Sequence, residues 1–344
     1  MTTQQEGRAA AEVAPTVPAV DPEVLAGLTA AFTALADALP PTPPDQVDVA
    51  SLRAGAAPSF RHYGSLIPAR DDVTVTEYDV LRDDGTVLSL RWYAPHDAAP
   101  APTPGRTAAA VFVHGGGQVA ADLDDYDPVV RRYAGESGVP LLAVEYRLAP
   151  EHPAPAAQQD CLAALAFLHA RADELGVDPD AVGVMGDSGG GGIAAATALA
   201  WRDQGRRPLA GQVLAYPMLD DRTREPDPAL GPVVTWTHVA NGRAWDAVLG
   251  GAEAGPDGYV APARASDLAG LPPTYLDTGD LDLFRAEVLA FGARLAAAGV
   301  PLELHVVPGA VHAFDVVAPR AAVSRQVHAT RYAALRRLAR GRRA

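Results

Sequence analysis

Gly186-Asp187-Ser188-Gly189-Gly190 sets a serine among glycines, directly after the apolar run 182–185 and directly before the helical stretch 189–202. A strand that turns sharply into a helix needs small residues beside the turning position, and the turn lifts that side chain to the top of a sheet. The chemistry this offers is nucleophilic attack by Ser188, with the Gly189 N–H at a helix N-terminus to receive an oxyanion. The competing reading is a glycine-rich strand–helix junction without catalysis. Upstream, the apolar run 108–113 ends in His114-Gly115-Gly116-Gly117. Three glycines let successive backbone N–H groups converge, so Gly115 and Gly116 are read as further oxyanion donors and His114 as structural.

A serine nucleophile needs a base, and the base needs an acid to orient it. Pro308-Gly309-Ala310-Val311-His312-Ala313-Phe314 follows the apolar run 302–307, and its small residues let a histidine reach across the sheet top. The other eight histidines lack this position: His305 lies in the strand run, His169 in a helix, and His62, His96 and His328 in outer segments, while His152 and His238 are looser alternatives. The acid is sought in Asp277-Thr278-Gly279-Asp280-Leu281-Asp282, after the run 273–276. Asp277 ends that strand, while Asp280 and Asp282 both sit in the loop, and spacing does not choose between these two. Serine, then acid, then histidine is the chain order of α/β hydrolases.

A rival pattern is Gly115-Gly116-Gly117-Gln118-Val119-Ala120, a loose dinucleotide fingerprint. A pyrophosphate needs a helix starting at once. Here Asp122, Asp124, Asp125 and Asp127 follow, which repel phosphate.

The elements that must hold these residues alternate. β-like runs over 108–113, 141–144, 182–185, 211–216, 273–276 and 302–307 are separated by helical runs over 156–175, 189–202 and 285–298, and a long helix is expected over 318–340. Such alternation predicts an α/β fold, a mostly parallel sheet flanked by helices. Before it, runs 73–80 and 87–93 flank Asp84-Gly85 and read as an antiparallel hairpin. Two regions break the rhythm. Residues 21–60 open with a helix whose apolar stripe is Leu25, Leu28, Phe32, Leu35 and Leu39, and residues 218–266 carry Trp236, Trp245 and Tyr259 amid Pro and Gly. Both are read as a cap over the strand ends. The core is then 61–217 and 267–344, with a mobile tail over 1–20.

Bulk properties narrow the function. A net charge of −14 argues against nucleic acid or an anionic membrane as partner, and no apolar run is long enough for a membrane span. All 28 basic residues are arginine. Without lysine there is no P-loop lysine, Schiff base or Ser-x-x-Lys dyad. Cys161, the only cysteine, falls in an apolar helical run and is read as a buried structural thiol. The first 20 residues lack a basic start followed by an apolar core, so a cytoplasmic protein is expected. Metal-ligand spacings are absent, and no cofactor is called for.

Together with Tyr146-Arg147-Leu148-Ala149-Pro150-Glu151-His152-Pro153, these motifs resemble the hormone-sensitive-lipase-like family, bacterial esterase family IV. The likeness runs from about Arg61 to Arg340. It implies an α/β-hydrolase fold with an eight-stranded sheet and a helical cap, and a Ser188–Asp282–His312 triad with Gly115, Gly116 and Gly189 as oxyanion donors. It thus selects Asp282 over Asp280. It also implies a small-molecule ester substrate with a short-to-medium acyl group, and it leaves a homodimer open. The departures are Gly189, where the family commonly has Ala, and Ala313, where it often has Gly. Amidase, arylformamidase or lactonase activity would use the same triad, and a non-catalytic binding module would lack one of its members.

Overall fold

The computed structural model describes residues 19–39, 42–82, 84–101, 103–227, 230 and 235–340. The tail expected over 1–20 falls almost wholly outside them. Eight strands form one sheet in the order β1-β2-β4-β3-β5-β6-β7-β8. They are β1 (Val73–Leu81), β2 (Val87–Pro95), β3 (Thr107–Val113), β4 (Leu141–Val144), β5 (Val177–Asp187), β6 (Gln212–Ala215), β7 (Thr274–Leu281) and β8 (Leu302–Val311). β1 and β2 form the expected hairpin, Val73 opposite Pro95 and Leu81 opposite Val87, and β2 runs antiparallel to β4. All other pairs are parallel.

Both faces of the sheet are covered. In β3, Ala109, Val111 and Val113 pack with α4 (Ala156–Ala170), α5 (Gly189–Asp203) and α7 (Arg285–Ala297). Ala108, Ala110 and Phe112 pack with α3 (Leu123–Ser137) and α9 (Ala322–Leu338). The central strands are therefore apolar on both sides, as a parallel sheet requires. Cys161 is fully buried among them.

Four expectations need correction. The closing helix expected over 318–340 begins later, as α9 (Ala322–Leu338), because Pro319 has no backbone N–H to donate to a helical ladder, and a separate single turn, α8 (Phe314–Val317), precedes it. The helix over 156–175 stops at Ala170, and the chain then turns through Gly176 at φ +65°. Two helices were unforeseen. α2 (Val49–Ser65) opens on a capping box between Asp48 and Ser51 and runs through residue 60, the boundary expected for the cap. α3 starts where Asp122 accepts from the Asp125 N–H, so the acidic run read only as hostile to phosphate is also a helix N-terminus. Finally, α1 (Pro22–Leu35) buries Val24, Leu28, Ala31 and Leu35 against α8 and β8, which leaves Leu25 and Phe32 exposed. The two stripes share Leu28 and Leu35, and the buried face is rotated from the expected one by roughly 50° around the helix.

Candidate active site

β3 and β5 are neighbours, with Val113 opposite Gly186, while β4 lies on the other side of β3. The chain order of the sheet reverses here, which is where open α/β sheets bind ligands. The register sets the glycine loop after β3 beside the turn after β5. The approach is close: a Cβ at Gly190 would lie 2.2 Å from the Val113 carbonyl oxygen. Ser188 takes φ +55°, ψ −119°, a strained conformation held by the strand behind it and the helix ahead.

At the far side of the site, β7 and β8 pair again beyond an irregularity between Gly279 and Leu281, and Leu281 sits opposite Val311. The next residue on each strand is Asp282 and His312. The Ser188 hydroxyl donates to His312 Nε2 at 2.9 Å, and His312 Nδ1 donates to Asp282 Oδ2 at 2.8 Å. Asp282 is fully buried, and its second oxygen accepts from the Phe284 N–H. Tyr216 and Phe284 stand edge-on to the imidazole at 4.9 and 5.0 Å, which walls it from water. The other two acids of the loop have separate tasks. Asp280 accepts from the Gly309 N–H at 2.7 Å, and Asp277 binds Arg331.

The glycine loop divides. Gly116 and Gly117 line the cavity above Ser188. Gly115 instead lies against the Tyr126 hydroxyl, which would be 2.5 Å from its Cβ. A Cβ at Gly189 would lie 2.9 Å from Gly117 N and 2.8 Å from Gln118 N, so the loop occupies the space a larger residue would need. His114 is held by Gly115 O at 2.8 Å and stacks on Tyr146; burial depresses its pKa to about 4. It does not line the cavity above Ser188.

The cavity measures about 390 Å³. α2 supplies Leu52, Ala56, Phe60 and Tyr63, and Trp236 comes from the segment between β6 and β7, which also carries α6 (His238–Leu249). Among the described residues, no Arg, Asp or Glu lines it. Arg53 of α2 reaches down to the Val119 and Ala149 carbonyls and to Glu151, tying that helix to the core. Glu287 of α7 holds the base of the insertion by accepting from Leu219 N, Asp220 N and Thr223 Oγ1; burial pushes its pKa up to about 8.

Beneath the site lies a charged layer. Arg331 on α9 is fully buried and grips Asp277 with two hydrogen bonds, at 2.6 and 2.8 Å. Its remaining arm meets Asp315 at 2.7 Å and the Tyr133 hydroxyl at 2.9 Å, and its plane lies 4.9 Å from the Tyr216 ring. One guanidinium thus ties the strand leading to Asp282 to the turn that follows His312. Arg331, Tyr126, Trp236, Arg53 and Glu287 were not singled out by sequence as site residues.

A family model described as the α/β-hydrolase fold matches residues 110–316. The chain belongs to the α/β hydrolases. Within them it falls in the hormone-sensitive-lipase-like branch, as its motifs implied. The hydrolase is 35% identical to the esterase LipI of Mycobacterium tuberculosis over 72% of this chain and 77% of that one. It is 38% identical to the carboxylesterase NlhH of the same organism over 62% and 69%. Among solved structures, a bacterial heroin esterase superposes with TM-score 0.80 and 38% identity, covering 94% of this hydrolase and 99% of that chain. No helix among its described residues is long and apolar enough to cross a membrane.

Proposed function

We propose that this α/β hydrolase cleaves carboxylic esters with short-to-medium acyl groups through an acyl-enzyme on Ser188. The observation that carries the proposal is the unbroken chain Ser188 Oγ–His312 Nε2 and His312 Nδ1–Asp282 Oδ2 at the floor of a largely apolar cavity. Relatives named esterase and carboxylesterase support the same reaction class.

His312 takes the Ser188 proton as Oγ attacks the ester carbonyl, and the buried Asp282 carboxylate steadies the resulting imidazolium. The oxyanion turns toward the N–H groups of Gly116 and Gly189. Gly117, which lines the cavity, joins them in the place expected for Gly115, which lies against the Tyr126 hydroxyl. In comparable sites one such donor is worth about 2.7–4 kcal/mol. His312 then returns its proton to the leaving alcohol, and water releases the acid by the same steps in reverse.

The cap assigned to residues 21–60 and 218–266 belongs to this proposal, extended to the end of α2 at Ser65. So do a homodimer and a cytoplasmic location, tested by sedimentation and by cell fractionation. Ser188→Ala should fold, with an unchanged circular-dichroism spectrum, and lose p-nitrophenyl butyrate hydrolysis by at least about a thousandfold. Hydrolysis by that variant near the wild-type rate would overturn the reading.

A further inference from the structure

Trp236 occupies a position that the triad mechanism does not use. The far edge of its indole, Cη2 and Cζ2, lies 2.8 and 2.9 Å from where a Cβ of Gly117 would be, so the ring rests directly on the glycine loop. Its Nε1 donates to Asn241 Oδ1 at 3.1 Å. Asn241 is fully buried and bonds onward to the Thr223 carbonyl at 2.6 Å. The ring is thus fixed at one edge by a buried amide and at the other by the loop. The preceding residue, Thr235, donates to the His312 carbonyl at 2.7 Å. Two consecutive residues of the insertion therefore touch opposite sides of the site.

We propose that Trp236 is the specificity-determining wall of the acyl subsite, and that this subsite takes uncharged, short acyl groups. The inference rests on the Ser188 acyl-enzyme reading. In the tetrahedral intermediate the former carbonyl carbon carries four groups, and the site assigns three. Oγ comes from Ser188, the oxyanion faces the glycine loop, and the leaving oxygen must reach His312 Nε2 to be protonated. The alcohol therefore departs on the side of His312, Ala313, Val316 and Val317. The acyl carbon takes the remaining direction, and Trp236, which lines the same cavity from the insertion, is assigned to close it. No Arg among the described lining residues compensates a carboxylate there, so an acid-bearing acyl chain would be desolvated without a partner.

The test measures kcat/KM of the full chain on two ester series: p-nitrophenyl esters from acetate to decanoate, and butyrate esters of alcohols from methanol to octanol. Trp236→Ala should raise the decanoate-to-acetate ratio at least about tenfold, the scale on which apolar pockets discriminate by a methylene or more. The alcohol series should keep its wild-type profile. Trp236→Phe, which keeps a ring but loses the Asn241 bond, should fall between the two and carries the same reading if the Ala variant does not fold. A p-nitrophenyl hemisuccinate should be at least about tenfold poorer than the butyrate. An unchanged acyl profile, or a shift confined to or shared by the alcohol series, would overturn the proposal, as would hemisuccinate turnover equal to butyrate. Wild-type protein inactive on every ester would instead remove the esterase reading itself.

Discussion

The two sides of Ser188 are built from opposite materials. Below it, Arg331, Asp277 and Asp315 are fully buried in one hydrogen-bonded cluster, with Asp187 and His328 alongside. Above it, the cavity presents aliphatic and aromatic side chains, with no Arg, Asp or Glu among the described residues that line it. The contrast follows from what each side must do. A buried charge pair is costly to desolvate and punishing to break, so it fixes geometry better than it adds stability. A substrate wall has to shed water cheaply and accept a range of neutral shapes, which apolar side chains do. Rigidity is set where substrate never goes.

Breaking the lower side should have the larger effect. Arg331→Ala leaves Asp277 and Asp315 buried without their cation. It should destabilise the fold by about 3–5 kcal/mol in urea denaturation and depress kcat, because the supports of Asp282 and His312 both loosen. A loss below about 1 kcal/mol would mean that the cluster does not hold the site.

Asp187 gives a smaller, pH-dependent test. Burial, with Asp315 and Asp277 nearby, outweighs the pull of Arg331 and lifts its pKa from 3.8 to about 7. The folded state keeps this proton while the unfolded chain releases it, so between about pH 4 and 7 rising pH favours unfolding through this group. Asn does not ionise. The stability of wild type relative to Asp187→Asn should therefore fall across that window, by on the order of 1 kcal/mol or more. A constant difference from pH 4.5 to 7.5 would remove Asp187 from the charged layer's titration.

The same contrast explains what the sequence disclosed. Ser188 and His312 were legible because their neighbours in the chain create their setting: glycines make the elbow, and small residues follow the last strand. The order of strands and helices was legible for the same local reason. Asp282 was not separable from Asp280 by spacing, because the choice depends on the re-pairing of Leu281 with Val311 across two strands. Arg331 lies 54 residues from Asp277 on a helix with several other arginines, and nothing in its own segment marks it as the buried one. Trp236 stood out as an aromatic in an irregular stretch, yet its seat on Gly117 exists only in three dimensions. The misjudged stripe of α1 has a related cause: Leu25 and Phe32 are as apolar as Leu28 and Leu35, and only contact with α8 and β8 decides which face is buried.

The central claim is that the charged layer and the apolar cavity together leave one activated serine between them. The direct measurement is the rate and site of labelling by a fluorophosphonate, followed by intact-mass spectrometry and peptide mapping. The account predicts one adduct per chain, on Ser188, forming at least about a hundredfold more slowly in His312→Ala. Labelling at another residue, or at an unchanged rate without His312, would contradict it.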